Sequence, residues 1–153
     1  MMPKKSPSES SIEMREMVMP HQTNPHNTIF GGVVMSWIDM AGAMVAQRHA
    51  KKNVVTVHVD NLSFKAPLKI GDHVLIQARV NYVGKTSMEV GVKVTSENPL
   101  TGETHHTTSA YVTFVALDSH NKPSPIASLD LQTDEEKRRF NEAKSRLANR
   151  KKA

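Results

Sequence analysis

Asp39 is the only charged residue between Phe30 and Gln47, a stretch that is otherwise apolar apart from three glycines, Ser36 and the closing Gln47. An ionised carboxylate buried without a partner costs about several kcal/mol, so an acid in such a helix points either to chemistry or to a firm hydrogen-bond partner. In a half-apolar setting a carboxylate can activate water as a general base or attack a carbonyl itself. The bland alternative is an acid held by a backbone N–H or by Ser36. Gly31 and Gly32 open the same segment, and backbone there can approach a ligand closely with its N–H groups free. Such a start suits a developing oxyanion. His21 and His26 lie just upstream and could form a His–Asp base pair, although loop hydrogen bonding is their ordinary role. His105 and His106 adjoin on a predicted strand and so point to opposite faces. No metal site is predicted.

These residues need elements to hold them. Residues 30–47 carry apolar side chains at nearly every helical phase, which marks a core helix; the stretch is too short and too glycine-rich for a bilayer span. Its start follows Pro25, Asn27 and Thr28, and its end is the cationic run Arg48 to Lys52. From Asn53 the period becomes two. Val55, Val57 and Val59 alternate with Thr56, His58 and Asp60, and equivalent alternation recurs over 74–80, 88–94 and 110–116, with turns at Gly71-Asp72, Gly84-Lys85 and Asn98–Gly102. Ile12 to Met19 is a short optional strand. Thr133-Asp134-Glu135-Glu136 resembles a capping box that opens a terminal helix. Strands joined by short turns are antiparallel, so the expectation is an α+β domain in which one long helix packs on a curled antiparallel sheet, with a C-terminal helix added. The boundaries read as a disordered tail over 1–10, a folded domain over 11–126 and a basic helix or tail over 127–153. A sheet wrapped round one helix leaves an edge strand and an apolar flank open, and a second copy would cover both.

With 153 residues the chain fits one domain. It has no cysteine, which excludes disulfides and thiol nucleophiles, and its first residues lack the apolar core of a secretory signal, so the expected location is cytoplasmic. The net charge of +5 favours an anionic partner. One Trp, two Tyr and no basic patch with interleaved aromatics argue against nucleic acid. A phosphate-bearing small molecule is the remaining choice, with no membrane partner. The basic C-terminal run reads as a solvated helix.

The loop His21–Gly32 with its Thr-Asn and Phe-Gly-Gly, the following Trp37-Ile38-Asp39, the strand and loop Val54–Pro67, Ile70-Gly71-Asp72 and Gly84–Met88 together resemble the hotdog-fold acyl-CoA thioesterases, bacterial acyl-CoA hydrolases related to the cytosolic long-chain enzyme. The resemblance spans roughly residues 17–118 and implies hydrolysis of fatty acyl-CoA to a free acid and CoA, without a cofactor. It implies that Asn24 and Asp39 are the catalytic pair, contributed by opposite subunits, and that Gly31 or Gly32 holds the thioester oxygen. It places His26, Phe30, Ser63, Phe64 and Lys65 near the acyl thioester, and Gly84, Thr86 and Ser87 against the pantetheine or phosphates. Arg138 and Arg139 are further candidates for the CoA phosphates. The assembly it implies is a homodimer at least, extended in the family to a trimer of dimers, a hexamer. Met35, Met40 and Met44 read as core filler or acyl-channel lining. Two other activities fit the fold: dehydration of a hydroxyacyl thioester, which generally uses a helix or loop His where this helix carries Asp39, and non-catalytic acyl-CoA binding.

Overall fold

The computed structural model describes residues 2–152. In chain order the elements are β1 (Ile12–Met17), α1 (Gly31–Ala50), β2 (Asn53–Asp60), β3 (His73–Val83), β4 (Ser87–Glu97), β5 (Thr104–Leu117) and α2 (Asp134–Lys152), with short 3-10 turns at Pro7–Glu9 and Pro20–Gln22. The strands form one antiparallel sheet in the order β1-β3-β4-β5-β2. This is the hotdog arrangement, with α1 lying across one face.

The core is the inward set of each alternation. Val74, Ile76, Val80, Val90, Val94, Val112 and Phe114 are fully or almost fully buried against Val34, Ile38, Ala41 and Val45 of α1. Gly42 lets helix and sheet meet closely: a Cβ there would sit 3.0 Å from the Phe114 ring. Lys51 ends α1 in the left-handed region at φ 56°, its N–H bonded to the Gln47 carbonyl.

Several expectations need correction. The apolar surface of α1 is not wholly covered within one chain, since Met40 and Met44 are 48% and 41% exposed. β2 gives the core only Val54 and Val59, partly buried: it is an edge strand with a bulge between Thr56 and His58, and Val55 and Val57 are 43% and 53% exposed. Helix flank and strand edge together form the open apolar surface that a second copy was expected to cover.

The N-terminal segment, read as disordered, is tied down from Lys5 onward; Met1 lies outside the described residues. Lys5 bridges Leu129 in parallel and donates Nζ to the His49 carbonyl at 2.9 Å, while Ser6 and Ser10 are buried. The C-terminal segment is likewise not a solvated basic tail. Ala143 is buried, and Phe140 stacks on Tyr82 with ring centroids 4.9 Å apart. Three ion pairs fasten α2 to the outer face of the sheet: Arg146–Glu89 at 2.7 Å, Arg79–Glu136 at 3.0 Å and Arg150–Asp60 at 3.0 Å. Composition could not show this, because each acid lies far from its arginine in sequence or is read as one polar residue of a strand.

Candidate active site

Asp39 faces β2. The Thr56 hydroxyl donates to its Oδ1 at 2.7 Å, a charge-assisted bond that fixes the carboxylate and leaves Oδ2 open. Thr56 pairs in register with the buried Phe114 and so turns toward the helix. Ser36 is no partner for the acid, because its Oγ donates to the Val33 carbonyl at 2.7 Å. Sequence reading missed Thr56, which looked like the polar half of an ordinary alternation.

Asn24 is held by its own loop. Its Oδ1 accepts from the His26 N–H at 2.9 Å and the Thr28 N–H at 3.3 Å, and its Nδ2 lies 3.0 Å from the Thr28 hydroxyl. Asn27 takes φ 60° to close the turn. His26 thus contributes its backbone to the loop, with its imidazole exposed. The loop delivers the chain to Phe30, which caps α1 without any side-chain hydrogen bond, so the first-turn N–H groups of Gly31 and Gly32 are open. Beside them is a groove of about 340 Å³ that brings together Thr28, Gly31, Phe64, Lys65, Pro67 and Thr107. The Phe64 ring lies 3.4 Å from where a Gly31 Cβ would be, so any side chain there would crowd the groove. Phe30 stands half-exposed next to it, and Ser63 adjoins Phe64 on the same loop.

The remaining expected residues lie elsewhere. Gly84, Thr86 and Ser87 form the β3–β4 turn, closed by a Gly84 N–H to Ser87 carbonyl bond of 2.8 Å and tied to β5 through the Ala116 N–H. The groove touches β5 at Thr107, so turn and groove sit about 30 Å apart along that strand. Arg138 and Arg139 are on α2, across the sheet from Asp39, and already pair with Glu142 and Glu135. α1 runs on past Gln47 and so takes in a histidine, His49, at its far end, buried, with Nε2 at 2.7 Å from the Ala127 carbonyl. Burial lowers its pKa below the usual imidazole value, which keeps it neutral. Among the described residues no group of three His, Cys, Asp or Glu could hold a metal ion.

One distance governs the site. Eight residues separate Gly31 from Asp39 on the same helix, about 12 Å of rise, too far for both to act on one carbonyl. Within one chain the open N–H groups of Gly31 and Gly32 and the carboxylate of Asp39 therefore do not meet at one point.

A sheet wrapped round a central helix is the hotdog arrangement, and residues 26–103 match the Thioesterase superfamily, the family to which the chain belongs. It is 41% identical over 143 residues to the uncharacterized acyl-CoA thioester hydrolase YkhA of Bacillus subtilis, covering 94% of this chain and 83% of that one. It is 33% identical to the cytosolic acyl coenzyme A thioester hydrolase of Mus musculus, over 91% of this chain and 37% of that longer protein. Among solved structures, an apo-hexameric acyl-CoA thioesterase superposes with TM-score 0.94 at 40% identity, covering 99% of this chain and 97% of that one. The acyl-CoA hydrolase of Staphylococcus aureus, solved with butyryl coenzyme A, coenzyme A and coenzyme A disulfide, gives 0.90 at 38% identity, covering 97% of this chain and 91% of that one. Alanine variants of the staphylococcal enzyme replace an Asn, an Asp and a Thr spaced by 15 and 17 residues, the intervals that separate Asn24 from Asp39 and Asp39 from Thr56.

Proposed function

We propose that this enzyme, an acyl-CoA thioester hydrolase, works through Asp39 as general base, with Thr56 fixing the carboxylate and Asn24 of a second copy positioning the water. The observation that carries the reading is the Thr56–Asp39 hydrogen bond of 2.7 Å, which orients an acid on an apolar helix and leaves one oxygen for water. Family membership and the spacing shared with the staphylococcal variants support the same three residues. Water loses its proton to Asp39 Oδ2 as it attacks the thioester carbonyl. The N–H groups of Gly31 and Gly32, from the other copy, hold the oxyanion, an interaction of the kind worth roughly 3 to 4 kcal/mol. Collapse expels the CoA thiolate, which takes up a proton, and the fatty acid leaves. Nothing in this sequence of steps requires a cofactor; CoA enters as part of the substrate and leaves as product.

The half-exposed Phe30 and Phe64 flank the groove where the acyl thioester would enter, with Ser63 and Lys65 beside them. The β3–β4 turn with Gly84, Thr86 and Ser87 would reach CoA only from a neighbouring copy. The exposed Met40, Met44, Val55 and Val57 supply the dimer face, and hexameric relatives support a trimer of dimers. No helix of the described residues is long and apolar enough to cross a membrane. The cytosolic mouse relative supports a cytoplasmic location.

Release of CoA thiol from an acyl-CoA series tests the activity, and Asp39→Asn should lower kcat by about 10² to 10⁴-fold while the protein stays folded. Single turnover in ¹⁸O-water separates the two roles of Asp39. Label in the first fatty acid released, with no acyl-enzyme trapped by hydroxylamine, means water attack; an unlabelled first product with label acquired by Asp39, or a trapped acyl-enzyme, means a nucleophilic carboxylate and overturns the general-base assignment.

A further inference from the structure

We propose that Arg150 of α2 is a positioning residue for the hydrolysis: together with Asp60 it pins the β2 bulge that aims Thr56 at Asp39. This role presupposes the one proposed for Thr56. In a regular strand Thr56, His58 and Asp60 would share one face. Here they do not. Thr56 and Val59 pair in register with Phe114 and Val112, both buried in the core, so these two side chains turn inward although they are three positions apart. Only an extra residue makes that possible, and the register jumps between Thr56 and His58, which leaves Val57 as the extra one. Past the bulge, His58 and Asp60 point to the outer face, where α2 lies.

A bulge raises the local twist and re-aims the side chains beside it. β2 is an edge strand, so within the chain its ladder to β5 holds the extra residue from one flank only. The outer face supplies a second hold. His58 Nε2 donates to Asp60 Oδ1 at 2.9 Å, since a carboxylate only accepts. Arg150 Nη1 donates to Asp60 Oδ2 at 3.0 Å and lies 3.2 Å from the Thr113 hydroxyl. Thr113 is the register partner of His58, so one guanidinium spans both strands directly past the bulge. The side chains of Arg150 and Asp60 are 24% and 26% exposed, a partial shelter that makes this clasp worth more than an ion pair in open solvent. The bulge is thus gripped from both faces, by Asp39 through Thr56 on the inside and by Arg150 through Asp60 on the outside. With the outer grip released, the extra residue is free to slide toward Asp60, which turns His58 inward and relaxes the twist at Thr56.

Steady-state acyl-CoA hydrolysis by the assembled protein tests this in a double-mutant cycle. Arg150→Ala should lower kcat by about 3 to 10-fold, a part of the loss expected when the whole Thr56 bond is removed, with KM little changed. Asp60→Ala should do the same, and Arg150→Lys, which keeps a charged donor, should recover most of the rate. In a Thr56→Val background Arg150→Ala should cost nothing more, because no bond is left to aim. Unchanged kcat in Arg150→Ala, an equal loss in both backgrounds, or a loss that follows dissociation to monomers in analytical ultracentrifugation would each overturn the positioning role alone. A Thr56→Val enzyme with full kcat would overturn the role of Thr56, and that of Arg150 with it.

Discussion

The carboxylate of Asp39 makes one hydrogen bond among the described residues, accepting from the Thr56 hydroxyl at Oδ1, and its Oδ2 is left without one. Removing that bond while keeping side-chain volume, as in Thr56→Val, should lower kcat by about 10 to 100-fold, the scale of one bond to a charged group, with KM little changed. Thr56→Ser should recover most of the loss. A Thr56→Val enzyme with unaltered kcat would show that the bond is merely structural. Asp39 was legible in the sequence because a lone acid contrasts with the apolar residues around it. Thr56 was not: a polar residue at every second position is what any half-buried strand carries, and its partner is 17 residues away on another element. Gly31 was legible from the glycine pair that opens the helix, whereas Phe64 and Lys65 were legible only through resemblance, since nothing local in Ser63-Phe64-Lys65 forecasts contact with a helix start. His49 was passed over because its partner carbonyl at Ala127 comes from a segment without recognisable pattern.

Among the elements, α1 and the strands β3 to β5 follow from apolar patterning, and strand burial keeps the two-residue period except where Asn81, Glu89 and Thr113 are buried on the outer face. β2 shows where periodicity stops. Its alternation is correct as a strand signal, but the valines it presents lie on an open surface, because a pattern tells that two faces differ and not what covers each one. α2 makes the converse case, polar by composition and yet docked. Arg146 holds Glu89 through two bonds of 3.0 and 2.7 Å and stacks over Tyr111, and Glu89 is only 5% exposed. Arg146→Ala would strand that buried carboxylate, so the variant should lose about 3 to 5 kcal/mol in chemical denaturation. The double variant Arg146→Met with Glu89→Leu should recover much of the loss, since an apolar pair leaves no unpaired charge. A single variant as stable as wild type would mean that α2 is held by its apolar contacts alone.

At the scale of the whole molecule, the 12 Å or so of helix between Gly31 and Asp39 supports the proposal that one active site draws on two copies. Asn24→Ala and Asp39→Asn proteins, each nearly inactive alone, should regain activity when mixed under conditions that allow subunit exchange, because each mixed dimer would carry one intact site. Failure to recover activity, with exchange verified by mass, would place Asn24 and Asp39 in the same site of one chain. Val57→Glu on the open edge of β2 should yield monomers in analytical ultracentrifugation and abolish turnover while the helix content remains.

A catalytic centre assembled from two chains also makes rate a measure of association. Specific activity should be constant at high protein concentration and fall once dilution passes the dimer dissociation constant, where velocity turns from first to second order in enzyme. Any factor that tightens the dimer then acts as an activator without touching the substrate. Under the two-copy proposal, the open strand edge and methionine flank of α1 would set the enzyme level below which acyl-CoA is left unhydrolysed.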